Sequence, residues 1–358
     1  MNAKIIVPPP YSGGFSFREV GSKIEKALKL IGVDVSIGYW SNFYMPNIKL
    51  TIPMEFATWD LLIFIMTIAP NSTILFNYYA SPMMSKKAFF YGVTEGHTTL
   101  DDSRKSLLND KVVVPSEFVK QMLQEEGIKV KAVIEHGIDH EEWKVDKAKI
   151  EKWRKQFGNR YVFYYLANYT SRKGIPSLIK SLHYVKNKLD KPFIAIIDTG
   201  GGVDETPIIK FRALVKTYDL DENVQINNSF GKMTREEIAI KMHGCDLFLF
   251  ASHAEGFGIP LVEAMACHKA PICVNAPPMN EIVKESCGFL VPYERIEWEN
   301  YYDIMIFKKH MYSPEEYANQ IIYALQHPEE LEEKNIKAYE RSLLYDYKKV
   351  YLKFIDLL

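Results

Sequence analysis

The 358-residue chain has only four cysteines, Cys245, Cys267, Cys273 and Cys287, and no two of them have CxxC spacing. They lie in apolar stretches, so they are expected as reduced, buried core residues and not as disulfides or metal ligands. Excess charge is missing too. A net charge of -1 gives no bulk basic character, which argues against nucleic acid as a main partner. No apolar run is long enough for a membrane span. The longest, Leu61 to Ala69, falls far short of the roughly 20 residues that a spanning helix needs. The start MNAKIIVPPP enters a strand pattern directly, without a charged region and a long apolar core. A signal peptide is therefore not expected, and a cytoplasmic setting is, with peripheral contact to a membrane surface left open. Low-complexity segments and short repeats are also lacking.

What the chain does have is alternation. Strand patterns at Lys4–Val7, Asp34–Tyr39, Leu61–Ile68, Lys87–Val93 and Val112–Val114 interleave with helical stretches such as Arg18–Ile31. The pattern resumes at Tyr161–Ala167, Phe193–Ile197, Val224–Ile226, Asp246–Phe250 and Pro271–Val274. Such alternation argues for parallel α/β sheets, and the length for two domains. The charged stretch Trp143 to Gly158 is the expected boundary, giving domains over 1–150 and 151–335. Residues 336–358 are helical in period.

The segment EGFGIPLVEAMACHKAPIC, Glu255 to Cys273, follows the short apolar run CDLFLFAS. Gly256 and Gly258 permit a tight turn, and Pro260 suits the start of a helix. A strand, a glycine turn and a helix N-terminus in that order bind anions, phosphates above all. Two carboxylates flank this turn. Glu255 precedes it and Glu263 lies about one turn into the helix, where the macrodipole favours a negative side chain. Each would repel a phosphate, so each is better placed to accept hydrogen bonds from sugar hydroxyls. The plainer alternative makes Glu255 a solvated loop residue and Glu263 a complement to the dipole.

This segment closely resembles the E-x7-E signature of the retaining family 4 glycosyltransferases. The resemblance continues in NYTSRKGIP, where Lys173-Gly174 matches the family's Lys-Gly, and in APPMNEIV and GFLVP. Five residues before the lysine the family usually carries an arginine, whereas this chain has Asn168; Arg172 is the candidate replacement. In the first half VVVPSEFVKQML and IEHGID resemble further family segments. The resemblance implies the GT-B fold: two Rossmann-like domains facing across a cleft, with a C-terminal helix crossing back to the first. It also implies an acceptor-side first domain, a nucleotide-sugar-binding second domain, retention of anomeric configuration, no cofactor and no metal. Lys173 would meet the diphosphate, as a point charge suits a phosphate. Glu255 would hold the sugar, Glu263 the ribose, and Phe257, Gly258 and Ile259 would border the donor.

The chain's other groups are less specific. Gly13-Gly14 is either the family's glycine loop near the donor or an ordinary strand-to-helix turn. Glu95 and His97, at the end of FFYGVTEGH, either face the substrates, His97 at the place of a histidine the family often has there, or lie in a surface turn. Asp219-Leu220-Asp221 has a D-x-D form, but in a polar turn, and HGIDH puts His136 and His140 in a glycine turn, so a metal is not expected at either. His253 is expected at the mouth of the crevice. The resulting expectation is a glycosyltransferase moving a hexose from a UDP-, GDP- or ADP-sugar to a glycan, lipid or protein hydroxyl. The alternatives are a sugar phosphorylase or nucleotide-sugar epimerase on the same fold, or a non-catalytic nucleotide-sugar binder.

Overall fold

The computed structural model describes residues 1–8, 15–39, 59–69, 85–200 and 206–358. The chain divides into two compact units. One comprises 1–137, 300–306 and 346–358, the other 138–299 and 307–345.

In the first unit, strands β1 (Asn2–Val7), β2 (Asp34–Tyr39), β3 (Trp59–Thr67) and β4 (Ser85–Val93) are followed by the short β5 (Gly96–Thr98). Strands β6 (Val112–Val114) and β7 (Val130–Val133) complete the set. Six of them form a parallel sheet in the order β2-β1-β3-β4-β6-β7. The run Leu61 to Met66 has become β3, buried on both faces as a central parallel strand must be. Each such side chain contributes about 1.5–3 kcal/mol by leaving water. Helix α1 (Phe15–Leu30) connects β1 to β2. Helices α2 (Asp102–Leu108) and α3 (Glu117–Glu125) flank β6, capped by Asp101 and Ser116.

The second unit opens with α4 (Lys147–Lys155). Its strands are β8 (Tyr161–Leu166), β9 (Phe193–Thr199), β10 (Val224–Asn228), β11 (Leu247–Phe250), β12 (Ile272–Val274) and β13 (Phe289–Val291). Helices α5 (Ile175–Lys186), α6 (Thr206–Thr217), α7 (Arg235–Gly244), α8 (Ile259–Ala266) and the short α9 (Met279–Ile282) alternate with them. The sheet is parallel, in the order β10-β9-β8-β11-β12-β13. The four cysteines lie in this core, all free and buried. Burial pushes the Cys245 thiol up to about 12.

Two features depart from the expected pattern. Tyr293–Tyr301 and Met305–Tyr312 form a hairpin, β14 and β15, that the sequence reading did not anticipate. Its turn gives Tyr302 and Asp303 positive φ values of 52° and 55°. Such a turn ordinarily announces itself with Asn-Gly or Asp-Gly, and here the signal is missing. Second, 336–358 is not one helix. Helix α10 (Pro314–Gln326) is followed by α11 (Pro328–Ser342), and a 3-10 turn over Leu343–Tyr345 ends it. Asp346 then caps a short α12 (Tyr347–Val350), its carboxylate accepting from the Lys348 amide at 2.9 Å. Whereas 336–345 stay with the second unit, from Asp346 onward the chain belongs to the first. There the Gly137 amide donates to the Tyr351 hydroxyl at 2.9 Å, and a Cβ on Gly137 would lie 2.7 Å from the Tyr347 Cα.

Candidate active site

The second sheet reverses its winding at β8. The chain runs outward from β8 through β9 to β10, then returns to place β11 on the other side of β8. The carboxyl ends of β8 and β11 therefore diverge into a crevice, where open α/β sheets bind ligands. Two segments leave these two strands. After β8 comes a 3-10 turn, Ser171–Lys173, then Gly174 and α5; after β11 comes the loop ending in Gly258, then α8. Both helices are introduced by Gly-Ile-Pro. Both N-cap glycines are left-handed, with φ of 70° at Gly174 and 112° at Gly258. A glycine has no side chain to cap the first amides, so the partial positive charge of each helix start is not answered by its own cap.

Gly174 is required twice over. Its φ disfavours any side chain, and a Cβ would collide with the carbonyl oxygen of Ala251. The two loops are thus in backbone contact, and further bonds hold them. The His253 amide donates to the Arg172 carbonyl at 2.7 Å, and the Tyr165 hydroxyl to the Lys173 carbonyl at 2.6 Å. Another runs through the His253 ring. Its Nδ1 faces the His310 carbonyl at 3.3 Å, which can only accept, so Nδ1 carries the proton. Its Nε2 is left to accept from the Ser177 hydroxyl at 3.0 Å. Burial pushes this imidazole down to about 4, which keeps it neutral. His253 was expected at the mouth of the crevice. It is 2 % exposed and acts as a strut between α5 and β15.

The charges sit on this frame. Glu255 is 5 % exposed and Lys173 8 %. Lys173 Nζ donates to Glu255 Oε1 at 2.5 Å, and Arg172 Nη1 to Oε2 at 2.8 Å. Burial by itself would raise the Glu255 pKa, but Lys173 and then Arg172 outweigh it and bring it to about 2. One anion facing two cations leaves a net positive charge beside two helix starts. The Arg172 guanidinium also lies 5.8 Å from the Phe307 ring of β15, and Ser171 Oγ donates to Glu299 of β14 at 2.6 Å. The unanticipated hairpin therefore braces the cation loop.

Glu263 lies in α8, 6 % exposed, accepting from Arg235 Nη1 at 2.6 Å. Phe257 packs its ring edge-on to Tyr345 at 5.9 Å, and Ile259, the first residue of α8, is packed against the core. Asn168, where the resemblance would place an arginine, accepts from Thr170 Oγ1 at 3.2 Å.

Residues 146–341, more than half of the chain, match the family described as Glycosyl transferases group 1. The chain belongs to this family. It is similar over nearly its whole length to glycosyltransferase 335 of Sulfolobus islandicus rod-shaped virus 1, at 27% identity, covering 95% of this chain and 97% of that one. It is also similar to the alpha-1,3/1,6-mannosyltransferase ALG2 of Mus musculus, at 28% identity over 42% of this chain and 38% of that protein. Among solved structures, a glycosyltransferase from Rickettsia africae superposes with a TM-score of 0.74 at 20% identity, covering 99% of this chain and 97% of that one. HepE of Anabaena, in complex with UDP-glucose, does so with 0.71 at 17% identity, covering 99% and 98%. Those likenesses carry the fold, and the glycosyltransferase has the GT-B fold of two Rossmann-like domains.

The remaining candidates of this glycosyltransferase are placed as follows. Glu95 and His97 lie in the first unit. The strand ends at Val93, and His97 falls within β5 with Nε2 3.0 Å from Glu125 Oε2. Gly13 and Gly14 lie outside the described residues. Asp219 of the D-x-D sequence pairs with Lys186 at 2.8 Å, and that hydrogen bond holds its carboxyl below the usual range. His136 and His140 end up in different units, His136 Nδ1 on the Tyr91 hydroxyl and His140 Nε2 on Ser342. Among the described residues no group of three or more His, Cys, Asp and Glu could hold a metal, and no helix is long and apolar enough to cross a membrane. Sequence reasoning missed Arg235 altogether. Its signal was a cation on the first residue of a helix, where the dipole disfavours it.

Proposed function

We propose that this glycosyltransferase transfers a hexose-type sugar from a nucleotide-diphosphate sugar to an acceptor hydroxyl, with retention of configuration and without a metal. The observation that carries the reading is the Lys173–Glu255–Arg172 group at the switch point, set between two glycine-capped helix starts. Cleavage of the sugar–phosphate bond builds negative charge on the leaving diphosphate. Lys173, Arg172 and the two helix starts supply a fixed positive field for that charge, in place of a divalent cation. As the diphosphate takes over the two cations, the Glu255 carboxylate turns to the hydroxyls of the transferred sugar. Glu263 holds the ribose, and Phe257, Gly258 and Ile259 shape the wall of the donor site.

The second unit, expected over 151–335, is then the donor side and the first, expected over 1–150, the acceptor side, to which Gly13, Gly14, Glu95 and His97 would contribute. Mannosyltransferases among the relatives and UDP complexes among the structural neighbours support a nucleotide-sugar donor carrying a hexose. A glycan, a lipid or a protein hydroxyl all fit as acceptor. The test is the anomeric configuration of the product by NMR, with transfer assayed with and without EDTA. Retention and full activity in EDTA are expected. Inversion, or loss of activity restored by Mn²⁺ or Mg²⁺, would overturn the proposal.

A further inference from the structure

The group around Glu263 goes beyond that reading. Arg235 is the first residue of α7, and the helix start is rigid: Thr234 caps it, accepting from the Glu237 amide while Glu237 Oε2 accepts from the Thr234 amide at 2.7 Å. A cation at this place works against the helix dipole, whereas the next two residues, Glu236 and Glu237, obey it. The guanidinium lies 5.1 Å from the ring of Trp143 and donates to Glu263 Oε1 at 2.6 Å. Trp143 is itself buried, and its carbonyl is 2.9 Å from Nε2 of His243, on the same helix α7. Arg235 is thus held at its backbone by the cap, along its plane by an aromatic face and at its tip by a carboxylate.

We infer that Arg235 is a positioning residue for the donor's ribose: it fixes the Glu263 carboxylate so that the ribose hydroxyls meet an ionised acceptor of set orientation. The inference rests on Glu263 being the ribose ligand. The chemistry fits. A carboxylate has about four lone-pair sites, so one guanidinium contact orients it without exhausting it. Arginine suits the task because its planar fork stays charged and stacks on an aromatic ring while it donates, which lysine does only as a point charge. Without it, the Glu263 carboxylate loses its set orientation, and the distinction between a ribose and a deoxyribose fades. Affinity for the diphosphate itself, which other residues hold, would change less.

The experiment is calorimetric titration of UDP, GDP and ADP, and of their 2′-deoxy counterparts, into wild type, Arg235→Ala, Arg235→Lys, Arg235→Gln and Glu263→Gln. The readout is the ratio of ribo to 2′-deoxy affinity for the nucleotide that binds wild type. A merely structural role would not move this ratio. In wild type it is expected at roughly tenfold or more, the scale of a hydrogen bond to a charged group. In Glu263→Gln and Arg235→Ala it should collapse towards one, with Arg235→Lys partly restoring it. Should Arg235→Ala fail to fold, Arg235→Gln, uncharged and of similar reach, is read in its place. A ratio lost in Glu263→Gln but kept in the Arg235 variants overturns the role of Arg235 and leaves the ribose reading standing. A ratio kept in Glu263→Gln, or absent in wild type, removes Glu263 as the ribose ligand and the inference with it.

Discussion

Replacing Glu255 by glutamine should do two opposite things, to stability and to nucleotide binding. In the unliganded protein this carboxylate is the counter-ion of Lys173 and Arg172, all three nearly buried. Its pKa is drawn from the ordinary carboxylate value of 4.5 to about 2. At 1.36 kcal/mol per unit, that depression corresponds to about 3 kcal/mol of stabilisation. Because the folded value lies below the unfolded one, the contribution is complete above pH 4.5 and disappears as the pH falls through about 2. Glu255→Gln removes it at neutral pH and strands two cations, so a loss of roughly 3–5 kcal/mol is expected. For a unit of this size, about 2–4 °C per kcal/mol puts the fall in melting temperature at roughly 6–20 °C. A diphosphate would then meet two cations whose charge Glu255 no longer offsets. Recovering half of the lost energy would tighten nucleoside diphosphate binding by roughly ten- to sixtyfold, at 1.4 kcal/mol per tenfold. Sugar transfer should nevertheless collapse, since the contact to the sugar is gone. Differential scanning calorimetry, titration of UDP and GDP and a transfer assay read the three effects. A Glu255→Gln protein that melts like wild type and binds the diphosphate no better would refute the idea that Glu255 occupies the diphosphate's counter-charge.

Further substitutions probe the cations and the frame. Lys173→Ala should weaken nucleoside diphosphate binding by roughly ten- to a hundredfold, the worth of a charge-assisted contact, and Arg172→Ala by nearly as much if it stands in for the arginine that Asn168 replaces; calorimetric titration decides, and Asn168→Arg should partly rescue Arg172→Ala. Gly174→Ala places a methyl against the Ala251 carbonyl at a left-handed backbone position, so the melting temperature should drop even with every charge kept, and an unchanged melt would show that the two loops are not in contact.

The extended apolar runs announced the parallel strands because a strand buried on both faces has to be apolar throughout. Glycine and proline likewise announced both helix starts at the switch point, since few other residues accept a positive φ before the helix or omit an amide at its first turn. Residue type therefore determined the two sheets, the two glycine-led helix starts and the identity of Lys173, Glu255 and Glu263 as candidates. Pairing is another matter. That Lys173 and Arg172 close on Glu255 and that His253 is a buried neutral strut depend on strands β8 and β11 lying side by side, although more than eighty residues separate them in the chain, and Arg235 reaches Glu263 from the helix before β11 to the helix after it. No local pattern encodes such a partner. The hairpin of β14 and β15 was hidden for a related reason: its turn adopts positive φ at Tyr302 and Asp303 against their own preference, and its partners Ser171, Arg172 and His253 belong to distant loops. Backbone preference is local and leaves its mark in the sequence, whereas the pairing of buried charges is settled only when the tertiary structure excludes water from both.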